Sequence, residues 1–258
     1  MLCMDIPDVA AWQNIAIREN AGHIYENYRL TGPLDFSNRQ PVTNLKLGRL
    51  ISDNGERTIS NVDISGTDMH LISRLNSGIK GVNFVNCDIT SSTVGCIGII
   101  GVSNGTIIDC DFKNITITPQ TNNTDEVGIV GHSNGGTFTN ITLKNITISA
   151  KKNSIDYVGG LLGKVQDGSS FENIGAMNIS VTGTGNYVGG IVGATEMSEV
   201  TGVDLSDMTV DGKGNYTGGF CGQLGYNGNS RERIITNARI TGTAVYDTDG
   251  IVTESTTT

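Results

Sequence analysis

The chain has 258 residues, 35 of them glycine and only four proline, with 17% charged residues and a formal net charge of −9. Glycine at about twice its average usage demands tight backbone turns again and again, while apolar residues plus glycine reach roughly half the chain, enough for a continuous core and too much for a disordered tail. An acidic balance without any run of Lys or Arg argues against nucleic acid and anionic membrane surfaces, and no stretch approaches the roughly eighteen apolar residues that membrane insertion requires.

Residues 1–50 do not share the pattern that follows them. Met1-Leu2-Cys3-Met4-Asp5 lacks a basic segment and a full apolar run, so no secretory signal is read there. Asp8 is placed to cap a helix whose Val9, Trp12, Ile15 and Ala16 form an apolar stripe, ending near Gly22. This helix is expected to lie as a lid over whatever begins next, since the end of a stacked β-structure is an open edge. Short strands are expected at Tyr28-Arg29-Leu30 and Leu45-Lys46-Leu47.

From residue 51 on, the chain repeats itself. Tyr157-Val158-Gly159-Gly160-Leu161-Leu162-Gly163 returns as Tyr187-Val188-Gly189-Gly190-Ile191-Val192-Gly193 and as Tyr216-Thr217-Gly218-Gly219-Phe220-Cys221-Gly222. Looser copies start at Val94 and Val127, and a fragment follows at Asp247-Thr248-Asp249-Gly250-Ile251-Val252. At least five units are present, and about eight if the worn first and last ones are included. Between these motifs lie runs such as Thr137-Phe138-Thr139-Asn140-Ile141-Thr142-Leu143 and Lys144-Asn145-Ile146-Thr147-Ile148, whose alternation of apolar and polar residues with period two reads as strand. Each unit of about thirty residues is therefore three short strands, which cannot bury an apolar face alone and must stack on the next unit. The expected fold is all-β: a right-handed parallel β-helix with an N-terminal capping helix. Residues 1–50 form the cap and lead-in strands and residues 51–258 the repeats, as one continuous domain.

Within this scheme Asn114, Asn145, Asn178 and Asp207 fall at equivalent turns, where amides can form stacked ladders and tolerate a left-handed backbone. Gly159, Gly189 and Gly218 mark a bend or a close backbone approach. Val158, Leu162, Val188, Val192, Ile146, Ile148, Ile179 and Val181 are expected in the core. The odd set Cys3, Cys87, Cys96, Cys110 and Cys221 contains no CxxC pair, so free, mostly buried thiols are expected, and no metal site. After Val252 the chain runs out through Thr253-Glu254-Ser255-Thr256-Thr257-Thr258 with no second lid in view, which suggests end-to-end pairing through that edge, or continuation of the native protein.

The Tyr-Val-Gly-Gly-Leu-Leu-Gly and Tyr-Val-Gly-Gly-Ile-Val-Gly stretches, with the strand pairs after them, resemble the GLUG repeat of bacterial cell-surface adhesins and of non-catalytic regions of immunoglobulin-A-type zinc peptidases. The segment from Tyr28 through Leu34-Asp35-Phe36 to Thr58-Ile59-Ser60-Asn61 resembles the lead-in of such repeats in large exported proteins of gut and oral bacteria. The resemblance covers roughly residues 8–252. It implies an extracellular or cell-surface location within a larger exported protein, and a partner that is a glycan or a host or cell-surface protein.

No catalytic centre stands out. A zinc peptidase needs His-Glu-x-x-His, whereas His23, His70 and His132 are isolated and none neighbours a Glu. Asn123-Thr124-Asp125 and Gly131-His132-Ser133 only faintly resemble polygalacturonase motifs. Asp88 with Asp111, or Asp247 with Asp249, are the carboxylate pairs that a glycosidase reading would nominate, but a solvated acidic face is the simpler account. Thr116 and Thr118 resemble ice-binding arrays without being sustained from coil to coil. Seven Asn-x-Ser/Thr sequons follow from the Asn-Ile-Thr strand pattern. The residues best suited to binding are Tyr157, Tyr187, Tyr216 and Tyr246, an aromatic ladder for sugar rings or a partner if they face outward, and a self-stacking spine if they do not. The expected function is a non-catalytic, cofactor-free scaffold or adhesion module. The rivals are a glycan-degrading β-helix enzyme and a segment of a phage tail-spike.

Overall fold

The structure, a computed structural model, describes residues 3–52, 57–67, 70–92, 95–121, 124–152, 155–166, 168–196, 199–224, 234–242 and 244–246. Strand follows strand in a parallel β-solenoid of about six turns with one N-terminal helix. The helix, Val9–Asn20, starts where Asp8 caps it, the carboxylate accepting a 2.9 Å hydrogen bond from the Ala11 N–H. Trp12 and Ile15 are fully buried beneath it, and the Trp12 indole meets Phe36 edge-on. The lead-in strands are themselves rungs of the solenoid: Met4–Ile6 pairs in parallel with Glu26–Leu30, which pairs with Leu45–Ser52.

A complete coil differs from three plain strands. In the coil that begins at Tyr157, a three-residue strand (Tyr157–Gly159) turns a two-residue corner into Leu162–Val165. A fifteen-residue strand, Ser169–Gly183, follows. That long strand is bent twice without losing its ladder, because Asn173 and Asn178 sit at φ of +53° and +57°. The second and third elements read from the sequence are therefore one continuous ladder with two left-handed corners. In register, Ser169–Gly183 pairs with Gly136–Ala150 on one side and with Glu199–Gly212 on the other. The short strands Gly95–Ile97, Thr124–Val127, Tyr157–Gly159, Tyr187–Gly189 and Tyr216–Gly218 form a separate five-stranded sheet.

The glycines of the repeated motif let this small sheet lie directly on the large one. A Cβ at Gly163 would stand 2.6 Å from the Gly131 carbonyl oxygen and 2.7 Å from the Val127 nitrogen, and one at Gly159 would stand 2.1 Å from the Leu162 oxygen. Inside, all eight residues expected in the core are buried, in stations that repeat down the stack: Ile115, Ile146, Ile179 and Met208 form one column, and Ile117, Ile148, Val181 and Val210 another. Phe84 stacks on Phe112, and Phe138 on Phe171, at centroid distances of 5.4 and 5.1 Å.

The corners carry the amide ladders. Asn86, Asn114, Asn145 and Asn178 each donate to the side-chain oxygen one coil earlier at 2.8–3.1 Å, ending on Asn61, which donates to Asp35. A second ladder runs from Asn173 through Asn140 to Asp109, and a third from Asn215 through Asn186 to Asp156. Each is headed by a carboxylate, which suits the one position that only has to accept. At Asp35 the hydrogen bonds from Asn61 and Ser37 hold the carboxyl down at about 2.

Candidate functional site

Three of the four tyrosines form one column. Tyr157 pairs with Tyr187 and Tyr187 with Tyr216, and their rings stack at 4.8 and 5.2 Å with interplanar angles of 9° and 5°. Lys164 places its ammonium 4.5 Å from the Tyr157 ring centroid. Tyr157 is buried and Tyr216 is exposed, so most of the aromatic surface is spent inside the column. Tyr246 does not extend it. Its backbone pairs with Asp211 on the large sheet, and its side chain lies outside the described residues. The reason is a longer coil: Glu199 comes twelve residues after Tyr187, but its register partner Ile234 comes eighteen after Tyr216. Thirty residues after Tyr216, the chain is therefore at a different station.

Followed toward the N-terminus, the tyrosine column changes chemistry. The station opposite Tyr157 is Glu126, and the one before it is Cys96. Cys96 lies against Gly131 and Glu126 against Gly163, and in the same way the buried His70 ring lies against Gly101. His132 comes from the neighbouring strand Val130–Ser133, one station above Lys164. The Cys96 thiol donates to Glu126 Oε2 at 3.0 Å, and His132 Nδ1 lies 3.2 Å from Glu126 Oε1. The opposite ring nitrogen, Nε2, lies 3.0 Å from Asn134 Oδ1. The amide nitrogen of Asn134 donates to Asn104 Oδ1 at 2.7 Å, which leaves its oxygen turned toward the ring. His132 thus lies between two oxygen acceptors, the Glu126 carboxylate and the Asn134 amide oxygen, an arrangement that favours its protonated form.

The electrostatics agree with that assignment. Burial pushes the Glu126 carboxyl up, but hydrogen bonds from His132 and Cys96 outweigh it and leave the group below its ordinary value. The bond to Glu126 raises His132 against the opposing effect of burial. Burial, followed by the Glu126 charge, drives the Cys96 thiol up. A thiol so held is not a nucleophile. His70 is a different case: burial brings it down to about 4, with its Nδ1 3.3 Å from the Gly98 carbonyl oxygen.

The sequence reading leaves His132 isolated, takes Cys96 as one of five free thiols and does not single out Glu126. The signal was available in the motif's first column, where Cys96-Ile97-Gly98 and Glu126-Val127-Gly128 begin on Cys and Glu while the other copies begin on Tyr.

Of the carboxylate pairs nominated from the sequence, Asp88 and Asp111 stand at different stations of the ladder. Asp88 is in register with Asp63 and Thr116, Asp111 with Thr142, and Asp247 and Asp249 lie outside the described residues. The threonine array, in contrast, is more regular than the sequence suggested. Asp63, Asp88, Thr116, Thr147, Ser180 and Thr209 form one outward column, and Ser149, Thr182 and Asp211 continue a second one beside it. Serine and aspartate stand in for threonine, which hid the continuity. All five cysteines are free thiols. Cys87 and Cys110 are buried and pushed up to about 12 by burial, and Cys221 is pushed to a similar value. No helix among the described residues is long and apolar enough to cross a membrane.

Comparison with known proteins adds one relationship. No family model matches the chain, and no curated protein matches it. Among solved structures, a protein from Bacteroides ovatus described as a "putative immunoglobulin A1 protease" superimposes with a TM-score of 0.63 at 15% identity, over 99% of this chain and 80% of that one. At that identity the likeness is one of fold.

Proposed function

We propose that this chain is a non-catalytic solenoid module of an exported bacterial surface protein, and that it binds glycan along its outer hydroxyl-bearing face. The observation that carries this reading is the column Asp63, Asp88, Thr116, Thr147, Ser180 and Thr209, a row of short hydrogen-bonding side chains kept in register over six coils. Successive strands stand about 4.8 Å apart, and side chains two residues apart along a strand about 6.6 Å, so the face offers a flat grid of donors and acceptors. Such a grid suits the hydroxyls of an extended polysaccharide, with Tyr216 as the exposed aromatic on another face. The resemblance of the Tyr-Val-Gly-Gly motifs to repeats of surface adhesins supports the same setting, and the fold shared with the Bacteroides ovatus protein supports the solenoid framework alone.

The test is a glycan array probed with the purified chain and with a triple variant, Thr147→Ala, Ser180→Ala and Thr209→Ala. These side chains point outward and leave the core intact. Binding by the wild type and a loss of roughly tenfold or more in the variant are expected. Absence of any glycan binding, or binding that the triple variant leaves unchanged, would overturn the assignment. Release of new reducing ends from a bound glycan would favour a glycan-degrading enzyme instead.

A further inference from the structure

We infer that Cys96, Glu126 and His132 form a binding site for a divalent transition-metal ion of the zinc class. Their ligating atoms, a thiol sulfur, a carboxylate oxygen and an imidazole nitrogen, all lie within 4.8 Å of one another. This mixed sulfur, nitrogen and oxygen set is one that zinc accepts, at about 2.0–2.3 Å from each ligand. With two of the gaps already 3.0 and 3.2 Å, the three donors can close on one ion by side-chain rotation. Three protein ligands leave a fourth position for solvent.

Two further observations separate this cluster from a chance contact. The first is its support. Asn134 fixes the Nε2 edge of His132 and is itself braced by Asn104 and Asn76, so Nδ1 is aimed at Glu126 by a chain of three amides. Metal-bound histidines are oriented in this way by the partner of their second nitrogen. The second is enclosure. Glu126 and His132 have side chains only 13% and 12% exposed, so the ion would sit shielded near the surface. The Cys96 thiol loses its proton to solvent as the ion binds, and Lys164, next to His132 in the sheet, is a positive charge that the thiolate and the Glu126 carboxylate must outweigh.

The experiment uses the untagged full chain titrated with Zn²⁺ by calorimetry, and with Co²⁺ followed by absorbance. One ion per chain is expected, with a thiolate-to-cobalt band in the near ultraviolet and a rise in melting temperature on Zn²⁺ addition. Cys96→Ser should abolish the band. Glu126→Gln and His132→Gln should each weaken Zn²⁺ by more than the roughly 10–100-fold expected of Asn134→Ala, a change in a supporting residue. Cys3→Ser and His23→Gln, remote from the cluster, should leave binding unchanged. Metal-free melts of every variant establish that each still folds. A wild type that binds no Zn²⁺, or binding that survives in Cys96→Ser and His132→Gln but falls in Cys3→Ser or His23→Gln, would overturn the site.

Discussion

Each corner asparagine combines two properties that few side chains share. It accepts a left-handed backbone, which costs most residues roughly 1–2 kcal/mol, and it both donates and accepts along the stack. The ladder that runs from Asn61 to Asn178 ends where the next station, Asp207, has no N–H to offer Asn178 Oδ1, although its own φ is +53°. Asp207→Asn should add one rung and stabilise the chain by about 0.5–1 kcal/mol, whereas Asp207→Ala should cost about 1–2 kcal/mol through backbone strain alone. Urea denaturation of the two variants checks this; an Asn variant no more stable than the wild type would show that the exposed rung contributes nothing.

At the level of the element, the repeated Gly-x-x-Gly spacing sets the distance between the two sheets. Gly163 leaves no room for a methyl group, because the obstacles are backbone atoms of residues 127 and 131 that cannot rotate away. Gly175 lies on the same coil within the long strand, has nothing within 4 Å of an added Cβ, and has no left-handed φ. Gly163→Ala should therefore cost at least about 3 kcal/mol by forcing the sheets apart, while Gly175→Ala should be neutral or stabilise by up to about 1 kcal/mol. Denaturant midpoints decide it, and equal effects of the two substitutions would mean that the sheet contact yields easily. The sequence made these glycines legible as a close approach because they recur with the tyrosines. It also showed the helix, through Asp8 and the Trp12–Ile15 stripe, and the amide corners, through the recurrence of Asn before Ile-Thr. The bend within one continuous ladder stayed hidden, since a left-handed residue inside a strand looks in sequence like a turn between two strands. The Cys96, Glu126 and His132 cluster stayed hidden for a related reason: its members lie thirty and six residues apart and meet only once the coil register is known.

For the whole molecule, stability in a stacked repeat is a sum of units and of the contacts between neighbours, so the ends set what the middle can tolerate. At the N-terminal end, the helix and the strand Met4–Ile6 together cover the Glu26–Leu30 strand. Trp12, Ile15 and Ile6 close over Tyr28, Leu30, Leu34 and Phe36, all of them buried. Removing residues 1–22 would take away the hydrogen-bonding partner of Tyr28–Leu30 and the apolar lid in one step. The bared strand would then offer a row of unpaired backbone groups beside exposed leucines, a template for pairing with another chain. A chain lacking residues 1–22 should therefore form larger species by light scattering at concentrations where the full chain does not, and should melt at a lower temperature. Trp12→Ala keeps the first strand paired while hollowing the lid, so it should lower the melting temperature without the same change in size. If the truncated chain matches the full chain in both size and stability, the coils protect their own edge and the helix is not the cap that its packing indicates.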